Sequence, residues 1–537
     1  MGYSTLKPLG VIGLLLVILG SLACASAAPK PTQTEVASST ITPKYGGMLL
    51  SSLTSDPPSF DAQQEATTET VFTSSPAYDR LLQFDDQDDA KLVPDLAARW
   101  EWSPDGKSLT FFLQKGVKFH NGSPFTADDV KFSMDRLRTP PKGVLSPRQG
   151  LFEPVTDVVV VDDSTVKVTV KRPYPAMLSF VAGGYMPIYD REFVEQRGQD
   201  IPKKEVMGTG PFKLKEYIRG VSFELAKNED YWVKGRPYLD GIKYYIIPDP
   251  GTTIAAFRSG QLLMGEKINA NQVERIAQEM GEKVRLTDPV VGFGPQFLSV
   301  NVNRPPFDNM KVRQAISYAL NRTAAAKLLN YQIGGVFAPP WSLSQEELAK
   351  FPGYGNDAAG DIAKAKQLLS EAGYPNGLAT TMITRNDVSS WQDMAVFAKD
   401  YLTKVGITAE LSAIASAPFY DIANTRNFNI LAAGVGLSFG DPDAFYAELW
   451  ACDSLRNYAG YCDPEMEALF LKQSSTLDAG QRAQLVFDLE RKALQSNSKF
   501  IVGYGRGRQL TWKTVQGYYP HRSTYNNKKM LNVWLEK

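Results

Sequence analysis

The chain of 537 residues contains little histidine, little cysteine and no excess charge of either sign. Its two histidines, His120 and His521, are too few for a multi-histidine zinc or iron centre. Its 58 Lys and Arg residues equal its 58 Asp and Glu residues, which argues against a nucleic acid or another polyanion as the partner. Beyond the N-terminal segment, no apolar run approaches the ~20 residues of a membrane span.

What is present is the composition of a globular protein. Hydrophobic residues make up 43% of the chain and charged residues 22%, which excludes wholesale disorder. At roughly 100–200 residues per domain, the chain is too long for one core, so we expect two or three lobes. The 24 tyrosines, 27 phenylalanines and 8 tryptophans suit both core packing and a ligand cleft.

The N-terminal segment has the pattern of a secretory signal. Lys7 precedes an apolar stretch at 9–23, and Cys24 follows directly. Residues 21–24 resemble a bacterial lipobox, whose cysteine would carry the lipid. An ordinary small-x-small cleavage site at 25–27 is one alternative, and an uncleaved anchor is another. We predict a lipobox-like signal peptide at 1–24, with Cys24 as the lipidation site.

Residues 25–44 are rich in alanine, serine, threonine and proline and show no apolar period. This composition predicts a flexible tether, which a lipid-anchored domain needs. We therefore predict an extracytoplasmic protein, in the periplasm or at the outer face of the cytoplasmic membrane, that is held to the membrane by its lipid.

The remaining cysteines, Cys452 and Cys462, lie close together in the sequence. Outside the cytoplasm such a pair is expected to form a disulfide, and two free thiols on a loop are the alternative. Because no third or fourth ligand accompanies them, we expect no metal site here.

Local patterns predict a mixed α/β protein. Strict alternation at 166–170 predicts a strand with one face in water. Thr126 and Asp129 form a capping-box pattern at the start of a helix. In the second half, Asp308 and Asp361 are the predicted caps of two helices, and helices there alternate with strands.

Short motifs also follow one another along nearly the whole chain in the order of a known family. The last of them is Phe439-Gly440-Asp441-Pro442-Asp443. The others lie at 78–82, 92–97, 102–107, 111–122, 126–130, 208–212, 228–232, 305–316 and 371–377. Together they resemble the extracytoplasmic solute-binding proteins of ABC importers, family 5, the cluster with oligopeptide-, dipeptide- and nickel-binding members. One departure is the loop at 260–265, where relatives usually place Gly-Glu-x-Asp.

The resemblance implies an α/β fold of two lobes, the periplasmic-binding-protein or Venus-flytrap fold of the large peptide-binding type, with an extra subdomain in lobe I. We place lobe I at 45–296 plus 508–537 and lobe II at 297–507. It also implies a monomer that closes over a solute and delivers it to permease and ATPase subunits. No covalent chemistry and no cofactor are expected.

The resemblance further points to residues that contact the ligand. Dipeptide-binding relatives hold the peptide carboxylate with an arginine, which falls at Arg385, and the ammonium with an aspartate, which falls at Ser438. Serine carries no charge, so a free ammonium would need Asp387 or Asp441 instead.

Trp391 and Phe439 flank these positions and are expected to stack on the ligand or to pack in the core. The sequence therefore predicts a non-enzymatic binding protein for a peptide-like or other small organic solute. An oligosaccharide, an opine or a nickel chelate is the alternative ligand on the same scaffold. An extracellular hydrolase, or a sensory or chaperone-like peptide binder, is the alternative from another class.

Overall fold

The computed structural model describes residues 42–65, 67–88, 91–268, 270–288, 290–386, 388–437, 439–523, 526 and 528–536. The predicted signal peptide, its lipidation residue Cys24 and tether residues 25–41 lie outside the described residues. In the described part of the chain, no helix combines the length and the apolarity that crossing a bilayer requires.

The described residues form helices and strands that alternate along the chain. The strands are β1 Met48–Leu53, β2 Leu82–Phe84, β3 Leu92–Pro94, β4 Ala97–Trp102, β5 Ser108–Leu113, β6 Val155–Asp162, β7 Thr165–Val170, β8 Phe212–Ile218, β9 Ser222–Lys227, β10 Gly241–Ile246, β11 Val284–Leu286, β12 Val290–Val300, β13 Tyr331–Gln332, β14 Leu378–Arg385, β15 Ile407–Ile414, β16 Ile430–Gly434, β17 Lys499–Gly507, β18 Leu510–Trp512, β19 Val515–Gln516 and β20 Trp534–Leu535. The helices are α1 Thr68–Ser74, α2 Ala127–Arg138, α3 Ala176–Val181, α4 Arg191–Arg197, α5 Pro250–Ser259, α6 Ala270–Met280, α7 Met310–Ala319, α8 Arg322–Leu328, α9 Gln345–Leu348, α10 Ala358–Glu371, α11 Ser389–Lys404, α12 Ser416–Asn424, α13 Pro442–Leu449, α14 Pro464–Ser474 and α15 Ala479–Ser496.

The first lobe is built on two four-stranded sheets. In the sheet β1-β10-β9-β8, β1 runs parallel to β10 and the other pairs are antiparallel. The sheet β4-β5-β7-β6 is antiparallel throughout and forms the extra subdomain together with α2. Val166, Val168 and Val170 of β7 are buried in the core of this subdomain, which confirms the strand predicted from their alternation.

The second lobe is built on one mixed sheet of order β13-β17-β12-β16-β14-β15. Successive residues of β16 belong to hydrophobic cores on opposite faces of this sheet. Ile430 and Ala432 pack with α7, α10 and α11. Leu431 and Ala433 pack with α13 and α15. Both faces of the sheet are therefore covered, which explains why β16 is apolar throughout.

Two predicted helix caps are correct in kind and wrong in position. The capping box at Thr126 is confirmed, because Asp129 Oδ2 accepts the Thr126 N–H at 2.8 Å. In contrast, α7 is capped by Asn309 instead of Asp308, and α10 is capped by Asp357, which places Asp361 within the first turn. Each correction follows from two capping residues that lie close together, which the pattern alone does not rank.

Three of the family-like motifs meet at one buried carboxylate of the first lobe. Asp79, from the motif at 78–82, accepts hydrogen bonds from Thr209 Oγ1 at 3.0 Å, Tyr231 OH at 3.0 Å and Trp232 Nε1 at 2.9 Å. The C-terminal segment adds Lys529, whose Nζ lies 2.6 Å from Asp79 Oδ1. Because buried polar groups must be paired, these motif residues serve to stabilise the fold of the first lobe.

Candidate binding cavity

A cavity of about 1040 Å³ lies between the two lobes. The first lobe contributes lining residues at 147–186 and the second lobe contributes others at 297–471. Aromatic side chains from both lobes face it, among them Tyr174, Trp391 and Tyr458. Its volume is just above the range of about 300–1000 Å³ typical of small-molecule sites. The cavity can hold a small organic solute and bring it into contact with both lobes.

On one side of the cavity the lobes touch. Phe439 of the second lobe is only 3% exposed and lies in the core cluster of the first lobe, with its ring centroid 6.1 Å from that of Phe180. Nearby, Arg172 Nη1 of the first lobe donates to Ser474 Oγ of the second at 2.8 Å. Phe439 thus lines the cavity as part of the contact between the lobes.

The predicted carboxylate-binding residue, Arg385, contacts two residues that line the cavity. Arg385 Nη1 donates to the hydroxyl of Tyr420 at 3.1 Å, and its guanidinium lies 5.4 Å from the ring of Trp391. Tyr420 and Trp391 are these two lining residues. Asp387 and Ser438, the other two predicted contacts in this region, lie outside the described residues.

Asp441 is the centre of a buried ion network at the start of α13. Its two oxygens accept from Arg482 Nη1 at 2.8 Å and Nη2 at 2.6 Å, and Oδ1 also caps the helix at the N–H of Asp443. Asp443 shares Arg482, accepts from Gln473 and Ser474, and lines the cavity. Burial and the neighbouring Asp441 together raise the pKa of Asp443.

A disulfide-closed loop forms another part of the wall. Cys452 and Cys462 are bonded to each other, and the loop between them places Arg456 and Tyr458 on the cavity. The bond limits the conformations open to these side chains before ligand arrives. Among the residues described, no three His, Cys, Asp or Glu side chains are grouped so that they could hold a metal ion.

Two oppositely charged side chains of the second lobe face the cavity near this loop. Glu448, in the last turn of α13, accepts from Arg456 Nη1 through Oε2 at 2.6 Å, and 39% of its side chain remains exposed. Burial raises the pKa of Glu448, although the positive charges of Arg456 and the more distant Arg148 oppose this effect. Arg148 comes from the first lobe, where its guanidinium stacks 3.7 Å from the ring centroid of Tyr185.

Sequence reasoning missed Arg148, Glu448 and Arg482. The motif at 439–443 contained a usable signal, because a helix that begins at Pro442 carries Glu448 into its last turn. No local pattern marks Arg148 or Arg482, since their partners are distant in the chain.

A buried lysine lies beneath the floor of the cavity. Lys499 is 3% exposed, and its Nζ donates to the carbonyl oxygen of Leu449 at 2.5 Å. The rings of Phe297 and Trp450 each lie 5.1 Å from this ammonium group. Burial lowers the pKa of Lys499 from 10.5 to about 7, and no described carboxylate offsets it.

We expect Lys499→Met to raise the free energy of unfolding at pH 7 by about 1–3 kcal/mol, because the gain from removing a desolvated cation exceeds the cost of leaving one carbonyl unpaired. In the parent protein, the unfolded chain holds this proton up to a higher pH than the folded one, so stability should rise between pH 7 and about 10.5. Urea denaturation across that range measures both effects, and the variant should lose most of the rise. Lys366→Met, at an exposed position of α10, is the control and should change stability by about 0.5 kcal/mol or less. A destabilised Lys499→Met with an unchanged pH profile would contradict the prediction.

Comparison with known proteins gives a consistent result. Residues 91–457 match the family described as bacterial extracellular solute-binding proteins, family 5. The chain is 30% identical to the glutathione-binding protein GsiB of Pectobacterium atrosepticum, over 82% of this chain and 85% of that one. It is 29% identical to the dipeptide-binding protein of Escherichia coli K12, over 86% and 90% of the two chains. Its fold matches the ABC transporter-associated periplasmic binding protein DppA of Helicobacter pylori, solved with the peptide STSA, at a TM-score of 0.76 and 26% identity, over 92% and 99%.

Proposed function

The chain belongs to family 5 of the bacterial extracellular solute-binding proteins, and from this premise we propose that its cavity captures a peptide-like solute. The protein is the solute-binding component of an ABC importer and is not an enzyme, so the alternative of an extracellular hydrolase no longer stands. What needs proposing is the ligand.

The observation that carries the proposal is the lining of the cavity. Aromatic side chains from both lobes offer apolar contact to side chains of a ligand, while charged groups face it from opposite lobes, with Arg148 on the first and Glu448 on the second. A peptide combines apolar side chains with charged ends and so fits this arrangement. The relatives named for glutathione and dipeptides, and the neighbour solved with the peptide STSA, support the same class.

A thermal-shift screen of the purified protein tests the ligand class. The panel contains unblocked di- to pentapeptides, their N-acetyl forms, oligosaccharides, opines and nickel chelates. A ligand present at 100 times its Kd adds about 2.7 kcal/mol of stability, so we expect a clear rise in Tm with peptides. If oligosaccharides, opines or chelates raise Tm and peptides do not, the peptide assignment is wrong while the family assignment stands.

We also propose that lobe I comprises 45–296 with 508–537 and that lobe II comprises 297–507. The boundaries fall within β12 and directly after β17, two antiparallel neighbours that continue from one lobe into the other. Such paired strands suit a hinge through which the lobes close over ligand. Hydrogen exchange with and without ligand tests this, because slower exchange should be confined to the cavity walls and to these two strands.

For the N-terminus we propose a signal peptide at 1–24, a lipid on Cys24 and a monomer tethered to the outer face of the membrane by residues 25–44. The lipobox-like residues 21–24 and the polar composition of the tether support this. Mass spectrometry of the mature protein checks it, since an N-terminus at residue 28 without lipid would contradict it.

A further inference from the structure

The cavity needs an acid if its ligand carries a free ammonium group. The residue at the position of the relatives' aspartate is Ser438, which has no charge. Asp441, the nearby alternative, has both carboxylate oxygens bonded to Arg482. An ammonium buried without a counter-ion costs several kcal/mol, so an unblocked peptide needs another acid, and we look for it among the described residues that line the cavity.

The acids that line the cavity differ in what their oxygens already bind. Both oxygens of Asp443 accept hydrogen bonds from buried side chains of its own lobe. Glu467 accepts from a tyrosine hydroxyl and a backbone N–H, both at Oε1, and lies in the first turn of α14, where the helix dipole already favours its negative charge. Glu153 is paired with basic side chains of the first lobe and is 55% exposed. Asp453 is exposed on the disulfide loop, where water competes for any cation.

Glu448 and Glu467 are half-buried and each keep one oxygen outside any hydrogen bond of the described residues, but they lie at opposite ends of their helices. Arg456 bonds to Oε2 of Glu448, while Oε1 accepts no hydrogen bond from the described residues, and the residue lines the cavity. The residue lies in the last turn of α13, where the helix dipole favours a positive charge. Arg456 keeps the carboxylate in place and leaves the second oxygen for the ligand.

We propose that Glu448 binds the ammonium group of the solute, so that the protein selects unblocked peptides and other solutes with a free primary amine. The inference rests on the proposed function. Relative to the pattern of the dipeptide-binding relatives, the acid has moved from the loop before α13 to the last turn of that helix. Arg148 and Arg172 of the first lobe then face the rest of the ligand, which suits its carboxylate end.

Isothermal titration calorimetry with named probes tests this assignment. The probes are alanyl-alanine, alanyl-phenylalanine and trialanine, each also in its N-acetyl form. The parent protein should bind the unblocked forms at least tenfold more tightly than the acetylated ones. Glu448→Gln should weaken binding of the unblocked forms at least tenfold and leave binding of the acetylated forms unchanged.

Two further variants make the result decisive. Glu448→Asp keeps the charge and should recover part of the selectivity, and its Tm together with that of Glu448→Gln shows that both fold. Glu410→Gln removes an exposed acid of β15 outside the cavity lining and should leave both affinities unchanged. If peptides bind and Glu448→Gln weakens both forms equally or neither, the assignment of Glu448 is wrong and the proposed function stands. If no peptide binds the parent protein in either form, the proposed function fails and this inference with it.

Discussion

Replacing Arg482 by methionine is expected to lower the free energy of unfolding by about 3–5 kcal/mol, one of the two largest effects of any single substitution considered. The guanidinium is 5% exposed and lies between the carboxylates of Asp441 and Asp443, which are 5% and 3% exposed. Although burial alone would lower it, these two acids raise the pKa of Arg482. Methionine fills a similar space but leaves two buried acids without a cation.

Chemical denaturation followed by tryptophan fluorescence measures this loss. Arg491→Met is the matched control, because Arg491 also bonds to two acids but keeps 35% of its side chain exposed, and it should cost about 1 kcal/mol or less. Adding Asp443→Asn to the Arg482 variant should restore part of the stability, since one of the two unpaired charges is removed. If Arg482→Met lowers the free energy of unfolding no more than the control does, the buried ion network does not stabilise the fold.

In the first lobe, Lys529→Met is expected to lower the free energy of unfolding by a similar amount, about 3–5 kcal/mol at pH 8. Lys529 Nζ lies 2.6 Å from Asp79 Oδ1 and 2.8 Å from both oxygens of Asp95, and none of the three side chains is more than 6% exposed. Arg80 is a second cation beside these acids. It is itself buried, so it replaces only part of the lost charge.

The cost of Lys529→Met should also depend on pH. Burial raises the pKa of Asp95 to about 6 even with Lys529 present, and loss of the lysine raises it further. The folded variant therefore takes up protons more readily than the unfolded chain as the pH falls, so its deficit should be smaller at pH 5 than at pH 8. Denaturation at both values checks this. Lys203→Met, from an exposed pair with Asp200, should show neither the cost nor the pH dependence.

Features encoded within a few residues could be predicted from the sequence. The strand at β7 and the capping box at Thr126 depend on near neighbours, and both are present in the structure. The order of short motifs identified the family because each motif fixes a turn or a buried contact, as Asp79 shows. The exact caps of α7 and α10 are wrong because a second residue of equal capping preference lies one position away in α7 and four positions away in α10.

The candidate site was less accessible to sequence reasoning, for a physical reason. Whether Asp441 is open to ligand depends on Arg482, which is 41 residues away in the sequence and reaches Asp441 from a different helix, α15. Arg385 has the right chemistry for a carboxylate, yet its guanidinium bonds to Tyr420, and Tyr420 is the residue of this pair that lines the cavity. Residue type and spacing carry no information about such side-chain contacts.

The pairing of Asp95 with Lys529 spans 434 residues of chain, and this separation sets an order of events during synthesis. At about 5–20 residues per second, a ribosome needs roughly 20–90 s to make the intervening chain. Throughout that time the two acids of the first lobe have no lysine beside them, so the early part of the chain cannot complete its native core. The first lobe of the nascent chain therefore lacks this buried pairing until Lys529 has been synthesised, and until then we expect it to be less stable by about as much as in Lys529→Met.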